Sequence, residues 1–240
     1  QQNRIDKLEN RIKNLRDSQN NIPGQTSQLE ECEFNLPLKR TLPIVAVTNR
    51  GTGVLGNVSV KLIEGDEDVL INTNPFVEAD LQYSLNKAVQ VAKEATDKQY
   101  AVDYIVDYDA GSVLIGGGSA GAATTILLIS AIENKTLKNN VVITGAINSD
   151  GSIGRVSGVM EKAKAVSEAG YDYFLVPEGQ SQIRYYERVV EQEPVFPGFV
   201  IRDVNYVPRE INLTKVAKEE WGLNIVEVNN IEDALPYFIE

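Results

Sequence analysis

The chain has no histidine and a single cysteine, Cys32, among its 240 residues. The first absence removes Ser-His-Asp triads and Cys-His dyads from consideration, and both together remove the usual zinc sites built from His and Cys. A general base in this chain must be Lys, Asp, Glu or Tyr. One cysteine forbids an intramolecular disulfide but leaves the redox compartment open. Basic residues are scarce too: 23 Lys and Arg stand against 34 Asp and Glu, a net charge of −11. A surface of that sign repels phosphate backbones and anionic lipid, so nucleic acid is not an expected partner. There is no run of 18 apolar residues, no signal-peptide pattern, no internal repeat and no low-complexity segment. The residue pattern calls for no metal and no organic cofactor.

What is present divides the chain in three. Ile5, Leu8, Ile12 and Leu15, set among charged residues, form an a/d seam, so residues 1–18 read as a helix, either a short coiled coil or a solvated helix. Residues 19–40, rich in Asn, Gln, Ser, Pro and Gly, read as a linker. Because the chain starts at Gln1 and not Met, it reads as processed or excised; an upstream segment could hold a signal or a membrane tether and give an extracytoplasmic or membrane-associated location, and the compartment is otherwise left open. Sequons at Asn57, Asn134 and Asn212 are compatible with export.

Residues 41–240 read as one domain of mixed α/β class. Strands are expected at 44–48, 54–63, 69–72, 101–108, 141–145, 173–176 and 224–228, with a short strand in the glycine-rich turn at 150–156. Helices are expected at 78–97, 119–133, 158–169 and 231–239, the last interrupted by Pro236. In residues 180–222 Tyr185, Tyr186, Phe196, Phe199 and Tyr206 are mixed with Pro194, Pro197 and Pro208 in no sustained period, and the segment reads as a partly helical insertion.

Two features carry chemistry. Gly116-Gly117-Gly118-Ser119-Ala120-Gly121 ends an apolar run and opens a helix, where unpaired N–H groups stabilise negative charge. Ser119 there is either a nucleophile or simply a helix cap. Lys162 is the second feature, because it shares a helical stripe with Val159, Val166 and Ala169. Burial of such an amine lowers its pKa and makes it a base, whereas snorkelling would carry it to water.

Gly117–Gly121, Thr144-Gly145 and Gly158-Val159-Met160-Glu161-Lys162 resemble the proteolytic domain of the Lon protease family. Ser119 precedes Lys162 by 43 residues and Thr144 by 25, spacings that match the family's serine nucleophile, lysine base and lysine-orienting threonine. The resemblance covers most of 41–240 and implies that domain's mixed α/β fold and a Ser-Lys peptidase acting on unfolded or flexible polypeptides. It assigns Ser119, Lys162 and Thr144 to catalysis, the backbone of Gly117, Gly118, Ser119 and Ala120 to the oxyanion, and a homo-oligomer to the assembly. The departures are three. Glycines stand where the family has an acidic residue or a proline before the serine, the 180–222 segment is longer, and no Gly-x-x-x-x-Gly-Lys-Ser/Thr occurs, so the expected activity is ATP-independent.

Rival readings exist. A Lon-like domain that has lost activity would serve as an assembly or peptide-binding module. Gly116–Gly121 also satisfies Gly-x-Gly-x-x-Gly, the dinucleotide fingerprint of an oxidoreductase, but no acid ends the next strand. Ser84-Leu-Asn-Lys87 has the Ser-x-x-Lys spacing of penicillin-binding enzymes, although in an amphipathic helix both read more simply as surface residues.

Overall fold

The computed structural model describes residues 35–239 apart from 97, 99, 112, 113, 197 and 198, so the expected N-terminal helix lies outside the described residues. β1 (Leu38–Val47) and β2 (Gly53–Glu64) form an antiparallel hairpin. β1 thus starts inside the stretch read as linker. β5 (Val102–Asp109) pairs antiparallel with β2, and β3 (Val69–Ile71) adds parallel to β5, giving the order β1-β2-β5-β3. Alternation decides which side of this sheet is wet: Val102, Tyr104, Val106 and Tyr108 are buried while the residues between them are half-covered. Two short strands, β4 (Phe76–Val77) and β6 (Leu114–Ile115), pair beside it.

Helix α1 (Ala79–Thr96) covers the sheet through Leu81, Leu85, Ala88, Val89 and Ala92. A 3-10 turn, Gly118–Ala120, then leads into α2 (Gly121–Ile132), all twelve residues of which are buried. A helix apolar on every side has to be enclosed, and α2 is the central rod of the main core. Its polar side chains are satisfied locally, Thr125 donating to the Gly121 carbonyl at 2.9 Å and Thr124 sharing a 3.0 Å hydrogen bond with Tyr108 of β5.

The C-terminal half is a parallel sheet of β7 (Val141–Ile143), β10 (Tyr173–Pro177) and β13 (Asn224–Val228), in the order β13-β10-β7. Between β7 and β10 come a small hairpin of β8 (Ala146–Ile147) and β9 (Ile153–Gly154) and helix α3 (Val159–Glu168). Helices α4 (Leu213–Trp221) and α5 (Ile231–Phe238) follow, each capped by an asparagine side chain, Asn212 and Asn230. The fold is of the mixed α/β class expected.

The segment 180–222 differs from expectation. It is a long antiparallel ribbon, β11 (Gln182–Phe196) and β12 (Phe199–Asn212), followed by α4. Most of its described side chains face solvent on both sides, so no apolar alternation marks it as strand.

Candidate active site

Three elements converge on one point: the start of α2, the end of β7 and the first turn of α3. The N–H of Thr144, just past β7, donates to Leu175 of β10 at 3.0 Å, so Thr144 is held by the parallel sheet. The N–H of Gly145 donates to the Ser119 carbonyl at 2.9 Å, and the Gly145 carbonyl accepts from Ala122 at 3.0 Å. This reciprocal pair locks the serine turn to Thr144-Gly145. A third bond comes from the Thr144 hydroxyl, which donates to the Ser119 carbonyl at 3.4 Å.

Lys162 reaches the same hydroxyl from α3, its Nζ donating to Thr144 Oγ1 at 3.0 Å. The lysine is 3% exposed and Thr144 1%, so the amine does not snorkel to water. Burial moves the Lys162 pKa from 10.5 down to about 8, because an ammonium loses hydration there and has no carboxylate partner among the described residues. One detail of the expected stripe is corrected: Ala169 is exposed, and Ala163 and Ala165 join Val159 and Val166 on the buried face. The start of α3 depends on Gly158, whose φ of +69° few L residues adopt and where an added Cβ would stand 2.6 Å from Val47 Cγ2.

Ser119 is half-buried in the middle of the 3-10 turn. Gly117 before it has φ +88°, a conformation glycine alone adopts freely. Helix α1 grips this loop at two points one turn apart: Asp80 Oδ2 accepts from the Gly117 N–H at 2.9 Å, and Ser84 Oγ donates to the Gly118 carbonyl at 3.3 Å. The Glu78 carboxylate lies against Gly116 so closely that a side chain there would collide with it. Acidic groups therefore stand at the loop, supplied 39 and 41 residues upstream and not by the residue before the serine.

Sequence reading missed Asp80 and misplaced Ser84. Ser84 is buried, not a surface residue, and the signal was available, since it interrupts the apolar face of α1 as Lys162 interrupts that of α3. Its proposed partner Lys87 is exposed, so the Ser-x-x-Lys reading loses its pair. The dinucleotide reading fails on charge: a pyrophosphate at this glycine loop would meet Glu78 and Asp80, and the Gly117 N–H is already engaged. The Gly117 N–H, one of the four backbone groups expected to face the oxyanion, is thus bonded to Asp80 Oδ2 in this structure. Beside α3 a cleft of about 270 Å³ opens between Gly158–Glu161 and the ribbon base at Gln182–Arg184.

Comparison with known proteins agrees with this geometry. The family model for the Lon protease (S16) C-terminal proteolytic domain matches residues 46–189, a span that holds Ser119, Thr144 and Lys162 and stops inside β11. The chain is 32% identical over 139 residues to the Lon protease of Clostridium acetobutylicum, covering 57% of this chain and 16% of that protein. It is 26% identical over 220 residues to the Lon protease of Aster yellows witches'-broom phytoplasma, covering 92% of this chain and 23% of that protein. With the archaeal Lon protease of Thermoplasma acidophilum the identity is 29% over 113 residues, covering 47% of this chain and 17% of that protein. The chain thus spans less than a quarter of the length of these curated relatives. A lysine buried against a threonine that holds the serine turn, within a matched span of more than half the chain, leads to one assignment: this chain belongs to the Lon protease (S16) C-terminal proteolytic domain family.

Proposed function

We propose that this chain is a serine endopeptidase that hydrolyses unfolded or flexible polypeptides with a Ser119–Lys162 dyad and without ATP. The observation that carries the reading is the buried, carboxylate-free Lys162 amine on Thr144, which is bonded in turn to the Ser119 turn. A charged lysine is costly in such a place, whereas a neutral amine is stable and basic. In the forward step the Ser119 Oγ–H bond breaks as Oγ attacks the peptide carbonyl carbon, and the proton passes to Nζ of Lys162. Backbone N–H groups of Gly118, Ser119 and Ala120, at the head of α2, face the negative charge that develops on the carbonyl oxygen. Nζ then returns its proton to the leaving amine, and a water activated by the same amine releases the acyl group. Thr144 holds the amine throughout, and Asp80 and Ser84 hold the peptide units on which Ser119 is mounted.

ATP independence is proposed for these 240 residues, which hold no P-loop, and the substrate class follows the likeness to Lon proteolytic domains. A serine-reactive phosphonate and casein without nucleotide test both points. Wild type is labelled and turns over, while Ser119→Ala and Lys162→Ala each abolish turnover and the double variant is no worse than either, because groups acting as a unit are non-additive. A folded wild-type protein that neither labels nor cleaves would reduce the chain to a binding module, and activity strictly dependent on ATP would remove the second half of the proposal.

A further inference from the structure

The 3-10 turn that carries Ser119 spans Gly118–Ala120, and each of its three carbonyls accepts a hydrogen bond from a side-chain hydroxyl. Ser84 Oγ of α1 donates to Gly118 at 3.3 Å, and Thr144 Oγ1 donates to Ser119 at 3.4 Å. Thr124 Oγ1 of α2 donates to Ala120 at 2.9 Å. A peptide unit is planar and trans, so its N–H points away from its C=O. Holding the Gly118 and Ser119 carbonyls therefore turns the N–H groups of Ser119 and Ala120 away from those hydroxyls, the orientation that a pair of oxyanion donors needs. The third unit closes the turn, because its own N–H, that of Gly121, donates back to the Gly118 carbonyl.

Two of the three hydroxyls are backed by a further donor. Lys162 Nζ donates to Thr144, and the same arrangement recurs at Thr124 with Tyr108 of β5. A hydroxyl carries one proton, and that of Thr124 lies on the Ala120 carbonyl, so the 3.0 Å contact between Tyr108 Oη and Thr124 Oγ1 is donated by the phenol. Accepting that bond polarises the Thr124 hydroxyl and fixes its direction. Tyr108 and Thr124 are each 1% exposed, and burial pushes the Tyr108 phenol up to about 12, so it keeps the proton it donates. Phenylalanine would fill the same space without a buried hydroxyl to satisfy. Thr125 provides the comparison: it donates at 2.9 Å to the carbonyl of Gly121, which already belongs to α2 and not to the turn.

We infer that Tyr108 and Thr124 are positioning residues of the proposed reaction, holding the closing peptide unit of the serine turn so that Ser119 and the N–H groups beside it keep their places. They act through the Ala120 carbonyl and not on substrate. The consequence for rate rests on the peptidase reading; the consequence for the turn does not.

Amide exchange at Gly121 and Gly145, whose N–H groups donate to the Gly118 and Ser119 carbonyls, reads the turn in the full chain. Rates with a serine-reactive phosphonate and with casein read the chemistry. Thr124→Val speeds exchange at both amides and lowers kcat and the phosphonylation rate about tenfold, with KM on casein within about twofold and the pH limb near 8 unmoved. Tyr108→Phe gives a smaller loss of the same kind, and the double variant is no worse than Thr124→Val, because the phenol acts through the threonine. Thr124→Ser restores both readouts, whereas Thr125→Val, which removes an equally buried hydroxyl, changes neither. Exchange that Thr124→Val leaves unaltered, a loosened turn with an unchanged rate, or equal losses in Thr124→Val and Thr125→Val would each overturn the inference. A wild type that never labels with the phosphonate counts against the peptidase reading instead, and the exchange result still decides whether Tyr108 and Thr124 hold the turn.

Discussion

Lys162 Nζ and Thr144 Oγ1 lie 3.0 Å apart with both residues almost wholly out of water. The hydroxyl takes a hydrogen bond from the amine and gives one to the Ser119 carbonyl, so a single side chain sets the lysine's direction and ties it to the serine turn. Neither role needs histidine, and the chain has none.

The proposed dyad predicts that activity follows the protonation of that amine. With burial lowering the Lys162 pKa to about 8, kcat/KM on an unfolded protein rises through a limb centred near pH 8 as the ammonium is lost. Lys162→Arg is inactive at every pH, because a guanidinium stays protonated. A flat profile between pH 6 and 10 would separate the rate from this group.

Stability moves with the same group, and its sign is opposite to that of a salt-bridged lysine. Between about 8 and 10.5 the unfolded chain binds a proton that the folded chain does not, so the stability of the wild type increases with pH across that window. Below it, folding carries the cost of a charged buried amine. Lys162→Met is therefore more stable than wild type at pH 6–7, by up to about 3 kcal/mol, and the gain shrinks as pH approaches 10. Thermal denaturation of both proteins at three pH values measures it, and a variant equally destabilised at all three would contradict the sign.

On the proposed mechanism Asp80 and Ser84 act through the loop and not on substrate. Asp80→Ala and Ser84→Ala each lower kcat about tenfold, with KM within twofold and the pH limb unmoved, since misplacing a nucleophile by a fraction of an ångström weakens attack more than binding. Asp80→Asn recovers most of the rate, because its amide oxygen still accepts from the Gly117 N–H. Equal loss in Asp80→Ala and Asp80→Asn would mean that the charge, and not the hydrogen bond, is what matters.

Gly158→Ala destabilises the fold by about 2 kcal/mol, combining a left-handed φ with a methyl set against Val47 Cγ2. Urea unfolding gives the value. Adding Val47→Ala relieves only the contact and leaves the backbone cost, so the double variant should not refold to a better midpoint than Val47→Ala alone.

Periodicity and glycine placement determined much of this protein by themselves. The helices at 79–96 and 159–168, the parallel strands, the glycine-serine turn and the spacing of Ser119, Thr144 and Lys162 were legible because each is a local pattern. What lay beyond the sequence were questions of cover. A helical stripe places Lys162 and Ser84 on a face, but only the neighbouring elements decide whether that face closes over the amine or the hydroxyl, and here it closes over both. Residues distant in sequence, Asp80 and Gly117, meet because α1 packs across the start of α2, and no local pattern encodes that meeting. The ribbon was illegible for the converse reason. A strand shows period two when one face is buried and the other wet, and the described side chains of β11 and β12 are mostly exposed on both faces, so they carry no alternation to read.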